Sequence, residues 1–228
     1  MKLLALDTAA NLCSAAIFDA KRGMMIAQIS EDIGKGHAER LMAIIEQAVA
    51  DADIAINEIG KVVTSIGPGS FTGVRVGVAT ARGLALALKC PAIGISTLEA
   101  LAYDARRILA ERPVLIAIDA RRDELYAQFF AKDGTATSEP MIATLPAIID
   151  QIGDDKSDLV LSGSASPLIN AALDHPLDVA STMATGTIYA FAQLGMLSQD
   201  ESLPRPLYLR GLDVKPQQGF VLKRQVAE

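Results

Sequence analysis

The chain has 228 residues, with 21 basic and 27 acidic side chains and a formal charge of −6. At that length a globular chain buries roughly 70–75% of its unfolded surface, enough for one large domain or two small ones. An acidic chain with six Phe, four Tyr and no Trp lacks both the cationic surface that supplies nucleic-acid affinity and a base-stacking platform, and Cys13 and Cys90 cannot build a disulfide scaffold or a four-thiolate zinc site.

In chain order, Leu3–Leu6 is a short apolar run, and residues 7–11 read as a turn. Cys13–Phe18 resumes as a strand, and Arg22-Gly23 turns into a third, Met24–Ser30. His37–Ala50 carries Leu41, Ile44, Ile45, Ala48 and Val49 at helical spacing. Lys61–Ile66 reads as a buried strand, Ser70–Leu88 as a helix after a Gly-Pro-Gly break, and Ala92–Ile95 as a strand. A helix over Thr97–Glu111, started by Thr97, stops before Pro113. The second half predicts strands at Leu115–Asp119, Leu125–Phe130 and Thr135–Ala143, then a helix near Leu145–Ile152 and a strand at Leu159–Leu161. Helices near Pro167–Leu173 and Thr182–Leu197 complete it. Met1–Leu6 is too short for a signal-peptide core, and the apolar run Val74–Leu88 is broken by Arg75 and Arg82. The expectation is a soluble, cytoplasmic chain without a membrane span.

The halves repeat. Leu3–Asp7 lies over Leu115–Asp119 at an offset of 119 − 7 = 112, and at that offset Ala15 falls on Ala127 and Phe18 on Phe130. Two β-β-β-α-β-α lobes facing each other across a cleft describe an α/β fold of the duplicated actin-like ATPase type, the ASKHA architecture of Hsp70 and the sugar kinases. The expected division is a lobe at 1–110, a second at 111–203, and an extended tail at 204–228, with five basic and two acidic residues, free to pack back on the first lobe.

In such a fold the carboxylate after each first strand faces the cleft. Asp7 with Thr8, and Asp119, hold those positions. They would bind Mg²⁺ and phosphate, or would cap their own turns. Ser65–Gly77 follows a strand and opens a helix, yet is neither a Rossmann fingerprint nor a P-loop. Gly73, Gly77, Ala81 and Ala85 recur at i+4 along that helix. Helical glycine costs about 1 kcal/mol against alanine, so this stripe implies close approach, either by the chain's own sheet or by a partner's helix. The imidazoles, His37 and His175, form no metal-ligand pattern, and no Gly-x-Ser-x-Gly elbow occurs. Ser162-Gly163-Ser164 lies where a nucleotide would sit, although such a turn needs glycine anyway.

The opening Leu4-Ala-Leu-Asp7-Thr8, the block Gly67-Pro-Gly-Ser-Phe-Thr-Gly-Val-Arg75 and Leu207-Tyr-Leu-Arg210 resemble the TsaB (YeaZ) family of bacterial tRNA threonylcarbamoyladenosine biosynthesis. The resemblance implies a non-catalytic paralogue of TsaD, dimeric in isolation, that organises TsaD and the ATPase TsaE for transfer of a threonylcarbamoyl group to tRNA adenosine 37. ATP and metal would be bound by those partners, and tRNA met only through the complex. TsaD's metal histidines would align with Thr97 and Leu101, neither of them a strong ligand. Asp7, Thr8, Ser162 and Gly163 would then be a vestigial cofactor cleft. His37, Leu41, Gly69, Phe71, Gly73, Val74, Gly77 and Ala81 would be the partner interface. The alternative is an ATP-dependent phosphotransferase of the same fold.

Overall fold

The computed structural model describes residues 1–153, 158–199 and 202–210. Two five-stranded sheets carry the chain. The first contains β1 (Lys2–Asp7), β2 (Leu12–Asp19), β3 (Met24–Asp32), β4 (Ile59–Ser65) and β5 (Ala92–Ile95), in the order β3-β2-β1-β4-β5. The second contains β6 (Val114–Asp119), β7 (Glu124–Phe130), β8 (Met141–Thr144), β9 (Val160–Ser162) and β10 (Val179–Ser181), in the order β10-β9-β6-β7-β8. Read from the other edge, the second order is the first one repeated. In each sheet two antiparallel pairs precede two parallel ones.

The helices are α1 (His37–Asp51), α2 (Phe71–Leu88), α3 (Thr97–Ile108), α4 (Leu145–Ile152), α5 (Ser166–Ala171) and α6 (Ile188–Leu197), with a 3-10 turn at Ile56–Glu58. Each half therefore runs β-β-β-α-β-α-β-α, one strand and one helix beyond the expected repeat. The fold is the duplicated actin-like ATPase fold. Leu41, Ile44, Ile45 and Ala48 of α1 and Ala81 and Ala85 of α2 cover one face of the first sheet through Leu4, Leu6, Ala15 and Ile17. Helices α4 and α5 cover the outer face of the second through Ile148, Ile152 and Ile169.

Between the sheets the halves exchange helices. Leu98, Leu101, Ala102 and Ala105 of α3, from the first half, pack on Ile116, Ile118 and Val160 of the second sheet. Ile188, Phe191 and Ala192 of α6, from the second half, pack on Leu3, Ala5, Phe18 and Val63 of the first. The outer cores close within their own halves, whereas the two inner ones are each shared, so the lobes are joined through a double layer of helix.

Several boundaries differ from the sequence reading. The strand expected over Thr135–Ala143 is only Met141–Thr144, because Pro140 has no N–H to give the ladder. Ahead of it, Ser138 takes the Phe129 N–H on its hydroxyl. Helix α3 starts at Thr97 as expected but ends at Ile108, and its cap is Ser96: Ser96 Oγ accepts the Leu98 N–H at 3.1 Å, and Glu99 accepts the Ser96 N–H. The long final helix shortens to Ile188–Leu197, capped by Thr187, and Val179–Ser181 becomes a strand parallel to β9. Of the tail, Pro204–Arg210 is described; Lys215, Lys223 and Arg224 lie outside the described residues.

Candidate functional site

The turn after β1 and the first turns of α2 form one packed unit. Gly69 and Gly73 make room for that turn: a Cβ on the first would strike the Ala9 carbonyl, and one on the second the Thr8 carbonyl oxygen. A Cβ on Gly77 would lie 2.6 Å from Thr8 Oγ1 and 3.0 Å from Thr64 Oγ1. The contact is also hydrogen-bonded. Thr8 Oγ1 donates to the Gly73 carbonyl (2.7 Å), and the Ser70 N–H donates to the Ala9 carbonyl (2.7 Å). Ser70 caps α2 by accepting the Gly73 N–H. The small-residue stripe of α2 thus answers to the chain's own sheet.

Asp7 is 1% exposed. Its Oδ1 accepts the Ala9 N–H (2.9 Å) and its Oδ2 the Thr185 hydroxyl (2.8 Å), from the crossing between β10 and α6. Asp119 repeats the turn at the same offset, its Oδ1 accepting the Arg121 N–H (2.7 Å). Both carboxylates cap their own turns. In each lobe a serine at or just past the end of a parallel strand adds a bond: Ser65 Oγ accepts the Thr8 N–H and Ser164 Oγ the Asp119 N–H.

Burial pushes the Asp7 carboxyl up, against the opposing pull of Ser65, Ala9, Thr185 and the nearby His37. A carboxyl raised above its unfolded value adds stability below the unfolded pKa and loses it as pH rises through the folded pKa. Asp7→Asn is therefore expected to gain stability relative to the parent as pH rises above about 4. Melting midpoints of the two proteins across that range check it; a constant difference would show that Asp7 titrates normally.

The remaining cleft residues are closed in. Ser162 is fully buried with an unpartnered hydroxyl, and a Cβ on Gly163 (φ 112°) would strike the Ala117 carbonyl. Thr97 and Leu101 are 0% and 1% exposed. Leu101 lines an interlobe cavity of about 400 Å³ with Leu12, Asp104, Arg107, Met183 and Thr185. Asp104 in that wall is already engaged by the Thr187 N–H and hydroxyl. The residues at the cleft do not fit a metal–nucleotide group: both Asp7 oxygens are taken by partners inside the fold, and Leu101 and Met183 in the cavity wall offer no metal-binding oxygen or nitrogen. Among the described residues no group of three or more His, Cys, Asp or Glu comes together.

The residues expected at a partner interface divide differently. His37 is buried and its Nε2 meets the Leu12 carbonyl. Leu41, Gly73, Val74, Gly77 and Ala81 are buried within the subunit, and Gly69 is half-buried beneath Ala9. The subunit's own elements cover these residues, and of the set only Phe71, at 55%, is broadly exposed. The face that sequence reasoning missed is the opposite one. Phe71, Arg75, Ala79, Gly83 and Ala87 form a second i+4 stripe, all exposed, with Leu86 beside it at 82%. Nothing lies within 4 Å of a Cβ built on Gly83. The same spacing rule finds both stripes, and only the fold tells inner from outer.

The sequence profile of the family described as "TsaD: tRNA N6-adenosine threonylcarbamoyltransferase" matches residues 26–185. This chain belongs to that family. Its similarity within the family is to proteins of the TsaB and YeaZ kind. The Escherichia coli tRNA threonylcarbamoyladenosine biosynthesis protein TsaB is 37% identical over 133 residues, 58% of this chain and 56% of that protein. The Buchnera aphidicola protein of the same name is 34% identical over 133 residues, 58% and 62% respectively. The match thus spans less than two thirds of these curated relatives. A Pseudomonas aeruginosa crystal structure, described as similar to peptidase YeaZ, superposes with a TM-score of 0.78 at 25% identity, covering 92% of this chain and 99% of that one.

Proposed function

We propose that this chain is a non-catalytic subunit of tRNA threonylcarbamoyladenosine biosynthesis, organising a TsaD-like catalytic subunit and a TsaE-like ATPase. In that complex the threonylcarbamoyl group goes to N6 of adenosine 37 in ANN-decoding tRNAs. The chain itself needs no cofactor, self-associates in isolation and meets tRNA through the complex. The observation that carries this reading is the two-sidedness of α2. Its inner glycines are explained by Thr8 and Thr64, whereas exposed Gly83 has no neighbour in the subunit to justify the roughly 1 kcal/mol a helical glycine costs. A small-residue i+4 ridge flanked by Leu86 and Phe71 suits close packing against another helix.

The phosphotransferase alternative would need Asp7 facing an open cleft, and Asp7 is bonded to Ala9 and Thr185 instead. Reconstitution of tRNA modification from purified components tests the proposal. Omitting this chain is expected to abolish modification, and the chain alone is expected to transfer nothing. Full modification without it would overturn the scaffold reading.

A further inference from the structure

Residues Pro204–Arg210 run over both lobes. Pro204 is buried beside Gly94, and the Leu207 N–H donates to the Ile66 carbonyl (2.8 Å) at the end of β4. Tyr208 lies against Phe71, their centroids 5.9 Å apart, and accepts a hydrogen bond from Arg75 Nε (2.7 Å). The Arg75 guanidinium in turn sits 3.5 Å over the Phe71 ring. Two residues later, Arg210 Nη2 donates to the carbonyls of Ala120 (3.2 Å) and Arg121 (3.3 Å) and pairs with Glu124.

The turn that Arg210 reaches is unusual. Arg121, Arg122 and Asp123 are consecutive non-glycine residues with φ of 62°, 56° and 60°. Side chains disfavour this left-handed region, and such a run persists only where the surroundings hold it. Local bonds hold it, the Asp119 carboxylate on the Arg121 N–H, the Ala120 N–H on the Glu124 carbonyl and the Glu124 N–H on the Arg121 carbonyl. Arg210, from another part of the chain, adds bonds to two of the turn's carbonyls. The same turn walls a cavity of about 680 Å³ that also includes Thr144, Leu145 and Pro146 at the start of α4.

We propose that Pro204–Arg210 is an interlobe strap that couples the outer end of α2 to the β6–β7 turn. Docked, it holds the turn left-handed through Arg210. Displacing Tyr208 from Phe71 and Arg75 releases Arg210, lets the turn relax and reshapes the second-lobe cavity. A macromolecule seated on that end of α2 is positioned to do this.

Amide hydrogen exchange on the isolated full chain tests the strap without any partner, so its result is independent of the functional proposal. Arg210→Ala is expected to raise exchange at Ala120, Arg121 and Glu124 by at least about tenfold, the factor matching loss of a charge-assisted hydrogen bond. Tyr208→Ala is expected to raise the same amides together with that of Leu207. Glu124→Gln, which leaves the carbonyl contacts in place, is expected to have a smaller effect. If Tyr208→Ala loosens Leu207 alone, or if Glu124→Gln reproduces the whole Arg210→Ala effect, the strap is overturned. Unchanged exchange in Arg210→Ala overturns it equally.

Discussion

Gly73→Ala is expected to lower the melting midpoint by about 6–12 °C, the largest effect of any single methyl in α2. The added Cβ has no free volume, because the Thr8 carbonyl oxygen occupies its place. Relief requires moving α2 off the β1 turn, which stretches the Thr8–Gly73 and Ser70–Ala9 hydrogen bonds. Overpacking against backbone costs about 1–3 kcal/mol and the two strained hydrogen bonds about 1 kcal/mol each, less the roughly 1 kcal/mol that alanine gains in a helix. The net is a loss of about 3 kcal/mol. Gly77→Leu, beside Thr8 and Thr64, is expected to be worse, so loss of a complex in that variant would report unfolding and not a damaged interface. Scanning calorimetry of Gly73→Ala beside Gly83→Ala checks the argument. The second is expected to rise by about 2–4 °C, since the methyl meets nothing and removes glycine's entropic cost. Equal shifts in both variants would mean that the inner stripe is not under contact.

Gly83→Leu should leave folding intact and weaken assembly at least about 100-fold. A leucine on the exposed ridge keeps the helix, and its Cβ meets no neighbour within the subunit. Against a facing helix packed on small residues, it would push the axes apart and forfeit the contacts of Phe71, Ala79 and Leu86. Sedimentation of the isolated chain and co-elution with a TsaD-like subunit read the outcome, with the melting midpoint as the control for folding. A variant that melts normally and still co-elutes would remove the outer face of α2 from the assembly.

Much of the fold was legible. Strands β1 and β2 and helices α1, α2 and α4 came from periodicity and caps, because their apolar patterns run long enough to separate period 2 from period 3.6. Val179–Ser181 was not legible, since three residues carry no period. Nor was the start of α6, where Thr187 caps a helix whose apolar residues continue on either side of it. At the site, Asp7 and the Gly67–Gly77 block were visible from composition and spacing. Their partners were not. Thr185 lies 178 residues from Asp7 and Thr8 lies 65 from Gly73, and a pattern confined to one segment holds no information about such contacts.

The length, the acidic charge and the 112-residue repeat already determined a two-lobed α/β chain with a glycine-marked helix. They also showed that the chain is poor in cations and aromatics. The tertiary structure decided which way that helix faces, that the halves exchange α3 and α6, and that both cleft carboxylates cap their own turns. The reason is physical. Local spacing fixes which residues share a helix face, but burial of that face depends on which distant backbone comes within contact distance of it.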